Sequence, residues 1–347
     1  MLTLFKKNFK ILISILFISI LTFTGCTASL NNKNNANDND KSMELTIYNG
    51  RTEKFIIPIV EKFQAETEIK VNLISGKATE YAHRIVEEGE NTQADIFLSN
   101  DAGVLEYLRI QDMLAQIDSE ELEKVPMNYR GKDNTWTGVT VRSRIFMYNK
   151  DLITAEEMAK SMFDLTDPKY KGQFAINRAG NESMVTYFTS IKTIIGEEKT
   201  LQLMKGIMAN DPLILQSHTD VRRAVGSGEV KFGLVNNYHL KEQLTEDGMN
   251  NVAAIYPDQG ENGMGTFVNV SGVAITKHAK NTENALLFIE FLLQEEQQKM
   301  NEETPIIPNI EGVEYDEEFK ASDASLGEIG PEWEATTELM RNAGYSD

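Results

Sequence analysis

Thr137-Gly138-Val139-Thr140-Val141-Arg142-Ser143-Arg144-Ile145-Phe146-Met147-Tyr148 is the stretch on which the layout of the chain turns. It is long and rich in β-branched and aromatic residues, so it reads as an extended strand. Upstream, short apolar runs alternate with segments of helical period: strands over Leu45–Tyr48, Ile69–Ile74 and Asp95–Leu98, and helices over Phe55–Phe63, Thr79–Glu88 and Ala102–Ile110. Thr79 is the expected cap of its helix, and Pro58 fits only if its helix begins close by. Downstream the pattern repeats, with strands over Phe174–Asn177, Leu213–Gln216 and Lys231–Val235 and helices over Ser183–Ile195, Thr200–Ala209 and Val221–Ser227. Strand–helix alternation predicts parallel sheets covered on both faces.

A second β-rich run, Thr266–Ile275, follows the second unit and returns the chain to the first for a helix over Glu283–Glu296. The fold class is therefore α/β: a two-lobed clamshell with two hinge-crossing strands. Lobe 1 is expected to hold residues 43–140 plus 264–347, its C-terminal part also packing on lobe 2, and lobe 2 residues 141–263. Such bodies close on ligands.

The start of the chain reads as a secretory leader, residues 1–25, with Lys6, Lys7 and Lys10 before an apolar run from Ile11 to Phe23. Leu21-Thr22-Phe23-Thr24-Gly25-Cys26 resembles the lipobox of bacterial lipoproteins, although Phe23 stands where Leu is commoner. Lipidation of Cys26 would hold an exported chain on the outer face of the cytoplasmic membrane, in a Gram-positive type of cell; the alternative is an uncleaved anchor helix. Residues 26–42 are poor in apolar side chains and read as a disordered tether.

Cys26 is the only cysteine, which excludes disulfides and cysteine metal clusters. A net charge of −19 leaves no basic stripe for nucleic acid. Ser-His-Asp order with a nucleophile elbow, His-Glu-x-x-His and a phosphate loop are all missing, so no enzyme is expected. An exported metal-dependent hydrolase and an adhesin remain as minor alternatives.

In open parallel sheets the ligand sits beyond the carboxyl ends of the strands. That rule nominates Asn49–Thr52, Ser75–Lys77 and Ser99–Asp101 in the first unit. In the second it nominates Arg178–Glu182, Ser217–Thr219 and Asn236–His239. Tyr238 and His239 can place two donors side by side, and His218 follows another strand. Arg142 and Arg144 share a face by the two-residue period, one of them facing the cleft.

Seven segments in order resemble the periplasmic ferric-ion-binding proteins of ABC transporters. In the first half they are Tyr48-Asn49-Gly50, Ser75–Glu80, Ala94–Phe97 and Gly138–Arg144. Arg223–Val230, Val235–Tyr238 and Gly265–Gly272 complete the set.

The resemblance implies Fe³⁺ held by two adjacent tyrosines with carbonate or another small anion, gripped in part by an arginine at Arg142 or Arg144. Tyr238 matches the first tyrosine and His239 occupies the second position. Thr52 stands where a histidine is usual and Asn100 where a glutamate is usual. With His218 as a further candidate ligand, the implied cleft is lined by Asn236, Gly180, Asn181, Glu182, Thr52 and Asn100. The departures keep a second reading open, in which the same fold binds phosphate, a phosphonate or a metal chelate. The implied partner is an ABC permease, with the receptor a monomer tethered to the membrane by its lipid.

Overall fold

The structure, a computed structural model, describes residues 43–300, 304–306 and 318–345; the leader, the tether and Cys26 lie outside these residues. In chain order the first elements are β1 (Glu44–Asn49), α1 (Glu53–Thr67), β2 (Lys70–Ser75), α2 (Ala78–Glu88), β3 (Ile96–Ser99), α3 (Ala102–Ile110) and β4 (Trp136–Asn149). β5 (Phe174–Asn177), α4 (Glu182–Ile195), α5 (Glu197–Ala209), β6 (Leu213–Leu215), α6 (His218–Gly226), β7 (Phe232–Asn236), α7 (Asn237–Leu244) and β8 (Val252–Ile255) follow. β9 (Val268–Ile275), α8 (Thr282–Leu292), α9 (Glu295–Met300), β10 (Thr304–Pro305) and α10 (Gly330–Asn342) end the described chain.

The strands form one path, β2-β1-β3-β9-β4-β7-β5-β6, with β8 and β10 also paired to β4. β1 is parallel to β2 and β3, and β5 to β6 and β7, as the strand–helix alternation predicts. β4 joins the two parallel groups: it is antiparallel to β9 from Trp136 to Ser143 and to β7 from Arg144 to Tyr148. The decisive stretch is therefore a crossing strand, and it changes partners between Ser143 and Arg144. The other expected crossing strand differs in detail. β9 pairs with β3 and β4 only, and its reach toward the second group is the hydrogen bond from Arg144 N to the Phe267 carbonyl, 2.9 Å.

The local chemistry explains these elements. α1 buries Ile56, Ile59, Val60 and Phe63, a stripe at helical spacing that meets Phe288 and Phe291 edge-on with Phe63. Each such side chain contributes about 1.5–3 kcal/mol on burial. α1 ends where Glu68 adopts φ 61° and its N–H turns back to the Gln64 carbonyl. Pro58 lies in its second turn, so the helix starts far enough upstream to forgo one backbone hydrogen bond there. In the second group Phe174 stacks on Phe232 at 5.5 Å, and Val221 and Val225 of α6 pack under β7 with Ile145 and Met147.

Several boundaries differ from the sequence reading. α2 starts at Ala78, so Lys77 and not Thr79 holds the cap position. α6 starts at His218, capped by Ser217, whose side chain accepts from Asp220 N. The helix expected over Glu283–Glu296 breaks after Leu292 into α8 and α9. α7 and α10 were not anticipated.

α10 binds to both groups of elements. Trp333 Nε1 donates to Thr186 Oγ1 of α4 at 2.9 Å, Glu332 pairs with Lys192, and Trp333 covers Gly103 of α3. A β-carbon on Gly103 would lie 2.3 Å from Trp333 Nε1, so only glycine permits this approach. Among the described residues no helix is long and apolar enough to cross a membrane.

Candidate functional site

The carboxyl ends of both parallel groups converge on one cavity of about 70 Å³, room for about five waters. From the first group come Arg51 and Thr52 after β1, Phe55 of α1 and Asn100 after β3. From the second come Asn181, Glu182 and Ser183 at the start of α4, His218 at the start of α6, and Asn236 and Tyr238 around the β7–α7 junction. Arg142 of β4 and Ser271 of β9 form the floor.

Arg51 is positioned by its own loop. Its N–H donates to Asn49 Oδ1 and its carbonyl accepts from Asn49 Nδ2, both at 3.0 Å, while Asn49 also reaches Ser75 Oγ at 3.1 Å. Arg142 is 5 % exposed, and its Nη1 donates to Ser271 Oγ at 3.0 Å across the β4–β9 ladder. Of the two arginines offered by the strand period, Arg142 therefore lines the cavity.

Arg144 does not line it. Its guanidinium lies behind the wall, donating to the Ser183 carbonyl at 3.0 Å and to His218 Nε2 at 2.7 Å. Burial lowers its pKa to about 10, which leaves it charged at neutral pH.

That arrangement determines the state of His218. Burial, then the Arg144 charge, push its pKa well below the usual histidine range, so the ring is neutral. A guanidinium only donates, so Nε2 accepts from it, and the ring also hydrogen-bonds the Leu234 backbone. The lone pair that a metal would need is thus occupied by Arg144 in this structure.

His239 also stands back from the cavity. It is 5 % exposed, its ring 4.2 Å from that of Tyr238 and 5.5 Å from that of His218. Its Nδ1 lies 2.9 Å from Glu242 Oε2, and that hydrogen bond leads in holding the Glu242 carboxyl down to about 2. An ionised carboxylate only accepts, so Nδ1 carries the proton. Gly180 is exposed in the turn before α4 and does not line the cavity either.

Tyr238, half-buried, presents its ring at the rim, edge-on to Phe55 across the cleft at 6.4 Å. Opposite, Asn100 Nδ2 donates to Glu182 Oε1 at 3.1 Å. Asn237 sits inside the junction, where its Oδ1 accepts from Ser143 N at 3.1 Å and ties α7 to the partner switch of β4.

Beneath the floor, Asp101 caps α3 through Gly103 N and also accepts from Asn269 Nδ2 of β9 and Thr186 Oγ1 of α4. Burial leads in raising its pKa to about 6, with Arg142 opposing.

The sequence reading therefore placed Tyr238, His218, Arg142, Asn236, Asn181, Glu182, Thr52 and Asn100 at the cavity, and the structure brings these together. It missed Arg51, Phe55, Ser183 and Ser271. Arg51 lay in a nominated loop; the others carry no local signal. Two guanidiniums face one carboxylate, so the cavity is net positive inside a strongly acidic chain. Among the described residues no three His, Cys, Asp or Glu side chains group as a metal site. Glu182 and the phenol of Tyr238 are the oxygen groups of the lining that can carry negative charge.

The family model of bacterial extracellular solute-binding proteins matches residues 58–326. An iron uptake protein, A1, of Synechocystis is 36 % identical over 320 residues, covering 88 % of each chain. A ferric binding protein from Campylobacter jejuni shares the fold at a TM-score of 0.79 and 30 % identity, covering 87 % of this chain and 99 % of its own. A Trichodesmium protein in complex with iron and citrate superposes at a TM-score of 0.78 with 29 % identity, covering 87 % of this chain and all of its own.

Proposed function

The chain belongs to the bacterial extracellular solute-binding proteins, in company with ferric-iron-binding relatives, and on that premise we propose that it captures Fe³⁺ with a small accompanying anion in the cavity between Tyr238 and Arg142. The observation that carries this reading is the pairing, in one small cavity, of a phenol and a carboxylate with two guanidiniums. Tyr238 would donate phenolate oxygen to the ion, with Glu182 as the second anionic oxygen. Arg142 and Arg51 would hold carbonate or another small oxyanion, which occupies the iron positions that the protein leaves open. Asn100, Asn181 and Asn236 would orient that anion. For His218 to join as a ligand, Arg144 would have to release its ring.

On this reading Cys26 carries the lipid that keeps the receptor on the outer face of the membrane. From there it hands iron to an ABC permease as a monomer. Closure of the two sides over the cargo is a population shift driven by contacts that only the closed form makes with it.

Equilibrium dialysis against ferric iron with elemental analysis, with and without carbonate or citrate, tests the central claim. Bound iron should be accompanied by a visible phenolate-to-iron absorption band that Tyr238→Phe abolishes. No iron retained under any of these conditions overturns it. The excess of guanidinium over carboxylate also favours a second reading, an oxyanion bound alone. A panel of anions that raises the melting temperature equally with and without iron would support that reading instead.

A further inference from the structure

Two helix starts meet across the mouth of the cavity, that of α1 after β1 and that of α7 after β7, one from each parallel group. Phe55 and Tyr238 touch edge to face there. One turn along α7 from Tyr238, on the same face because i and i+4 neighbour each other, lies Glu242. Its Oε1 receives Lys54 Nζ of α1 at 3.1 Å. Its Oε2 is committed to its own side of the cleft: His239 Nδ1 lies 2.9 Å away and Arg222 Nε 3.3 Å. Lys54 also lies 4.5 Å from the Phe55 ring centroid, so charge and ring contacts form one patch. Neither Lys54 nor Glu242 lines the cavity.

We propose that Lys54 and Glu242 form a closure latch, and that Glu242 is a positioning residue that fixes Tyr238 through His239. The division of labour follows from the two oxygens. The inner one holds His239 against the Tyr238 ring whether or not the cleft is shut. The outer one gains its partner only when the lip carrying α1 arrives. Opening the cleft therefore separates Lys54 from Glu242 and Phe55 from Tyr238 in the same movement. The side chains of Lys54 and Glu242 are 48 % and 30 % exposed, so water and salt screen the pair. A weak, screened contact suits a latch that must release as well as hold.

The inference rests on reading Tyr238 as an iron ligand, and its test separates the two. In the full chain loaded with ferric citrate, iron release to excess EDTA is followed by stopped flow at low salt. Lys54→Met and Glu242→Gln should each release iron about two- to fivefold faster, the range expected for a partly exposed ion pair. The double variant should be no faster than the quicker single one, Lys54→Arg should restore the parental rate, and the differences should fade toward molar salt. Glu242→Gln should also move the phenolate-to-iron band, whereas Lys54→Met should leave it in place.

Parental release rates in both single variants, or effects that simply multiply in the double variant, overturn the latch. A parental chain that takes up no ferric citrate overturns the iron reading instead. The latch is then read in the cargo-free chain, where amide exchange over Asn237–Leu244, compared with Ala102–Ile110, should quicken in Lys54→Met. Equal exchange there overturns it.

Discussion

Asp101→Asn is the substitution whose effect should change most with pH. Asp101 is fully buried where three parts of the chain meet: it caps α3, accepts from Asn269 Nδ2 of β9 at 2.6 Å, and accepts from Thr186 of α4. Burial raises its pKa from 3.8 to about 6. Between those values the unfolded chain has lost the proton and the folded chain keeps it. The folded state then binds more protons, so this group's contribution to stability falls as pH rises through the window and is level above it. About two pKa units correspond to about 3 kcal/mol.

Asparagine is neutral throughout and cannot show that slope, though its amide presents a donor to groups that already donate, at a cost of about 1–3 kcal/mol. Urea unfolding at pH 4 and pH 8 should therefore find Asp101→Asn less stable than the parent at pH 4 by about that amount. At pH 8 the gap should be closed or reversed, because the parent has by then lost about 3 kcal/mol to ionisation of the buried carboxyl. Other carboxylates titrate equally in both chains and cancel in the difference. A gap of equal size at the two pH values, or one that widens at pH 8, refutes the reasoning.

Three further outcomes can be checked. Gly103→Ala forces a methyl to within 2.3 Å of Trp333 Nε1 and 2.4 Å of Thr186 Oγ1, and should destabilise by about 1–3 kcal/mol, read as a lower thermal midpoint and altered Trp333 fluorescence. Tyr238→Phe should leave the thermal midpoint of the cargo-free chain within about 1 °C while lowering iron affinity at least tenfold in dialysis, since the ring remains and only the phenol oxygen is lost. Arg142→Met should make iron uptake insensitive to added carbonate and lower its affinity, measured by titration with and without the anion; retained carbonate dependence would assign the anion to Arg51 instead.

How far the sequence could be read follows from where each signal resides. β4 was legible because its length and β-branched content need no context, and the strand–helix alternation on either side named the fold. The cleft loops followed from the positional rule for parallel sheets, so Tyr238, Asn236, Glu182 and Asn100 were found without metal chemistry. Arg142 and Arg144 could not be separated, because the two-residue period puts both on one face. Their fates diverge through the partner switch at Ser143 and Arg144, which is set by strands more than 80 residues away. α7 escaped notice because Asn237-Tyr238-His239-Leu240-Lys241-Glu242-Gln243-Leu244 has almost no apolar stripe and begins directly at the end of β7. His218 and His239 kept their plausibility as ligands until the partners of their ring nitrogens were visible. Arg144 is remote from His218 in sequence, and Glu242 meets His239 only along a helix that was not foreseen.

The passage of the chain through the two parallel groups also orders how the protein is made. β5, β6 and β7 pair among themselves within about sixty residues of sequence and can assemble soon after that stretch of chain is available. The first group cannot finish then, because β3 has as its neighbour β9, whose pairing joins Ile96 to Ile275. Until that late strand arrives, β3 presents an open edge to other emerging chains. Folding of this chain therefore has a vulnerable interval fixed by topology, and chaperones would act on that interval rather than on the finished fold.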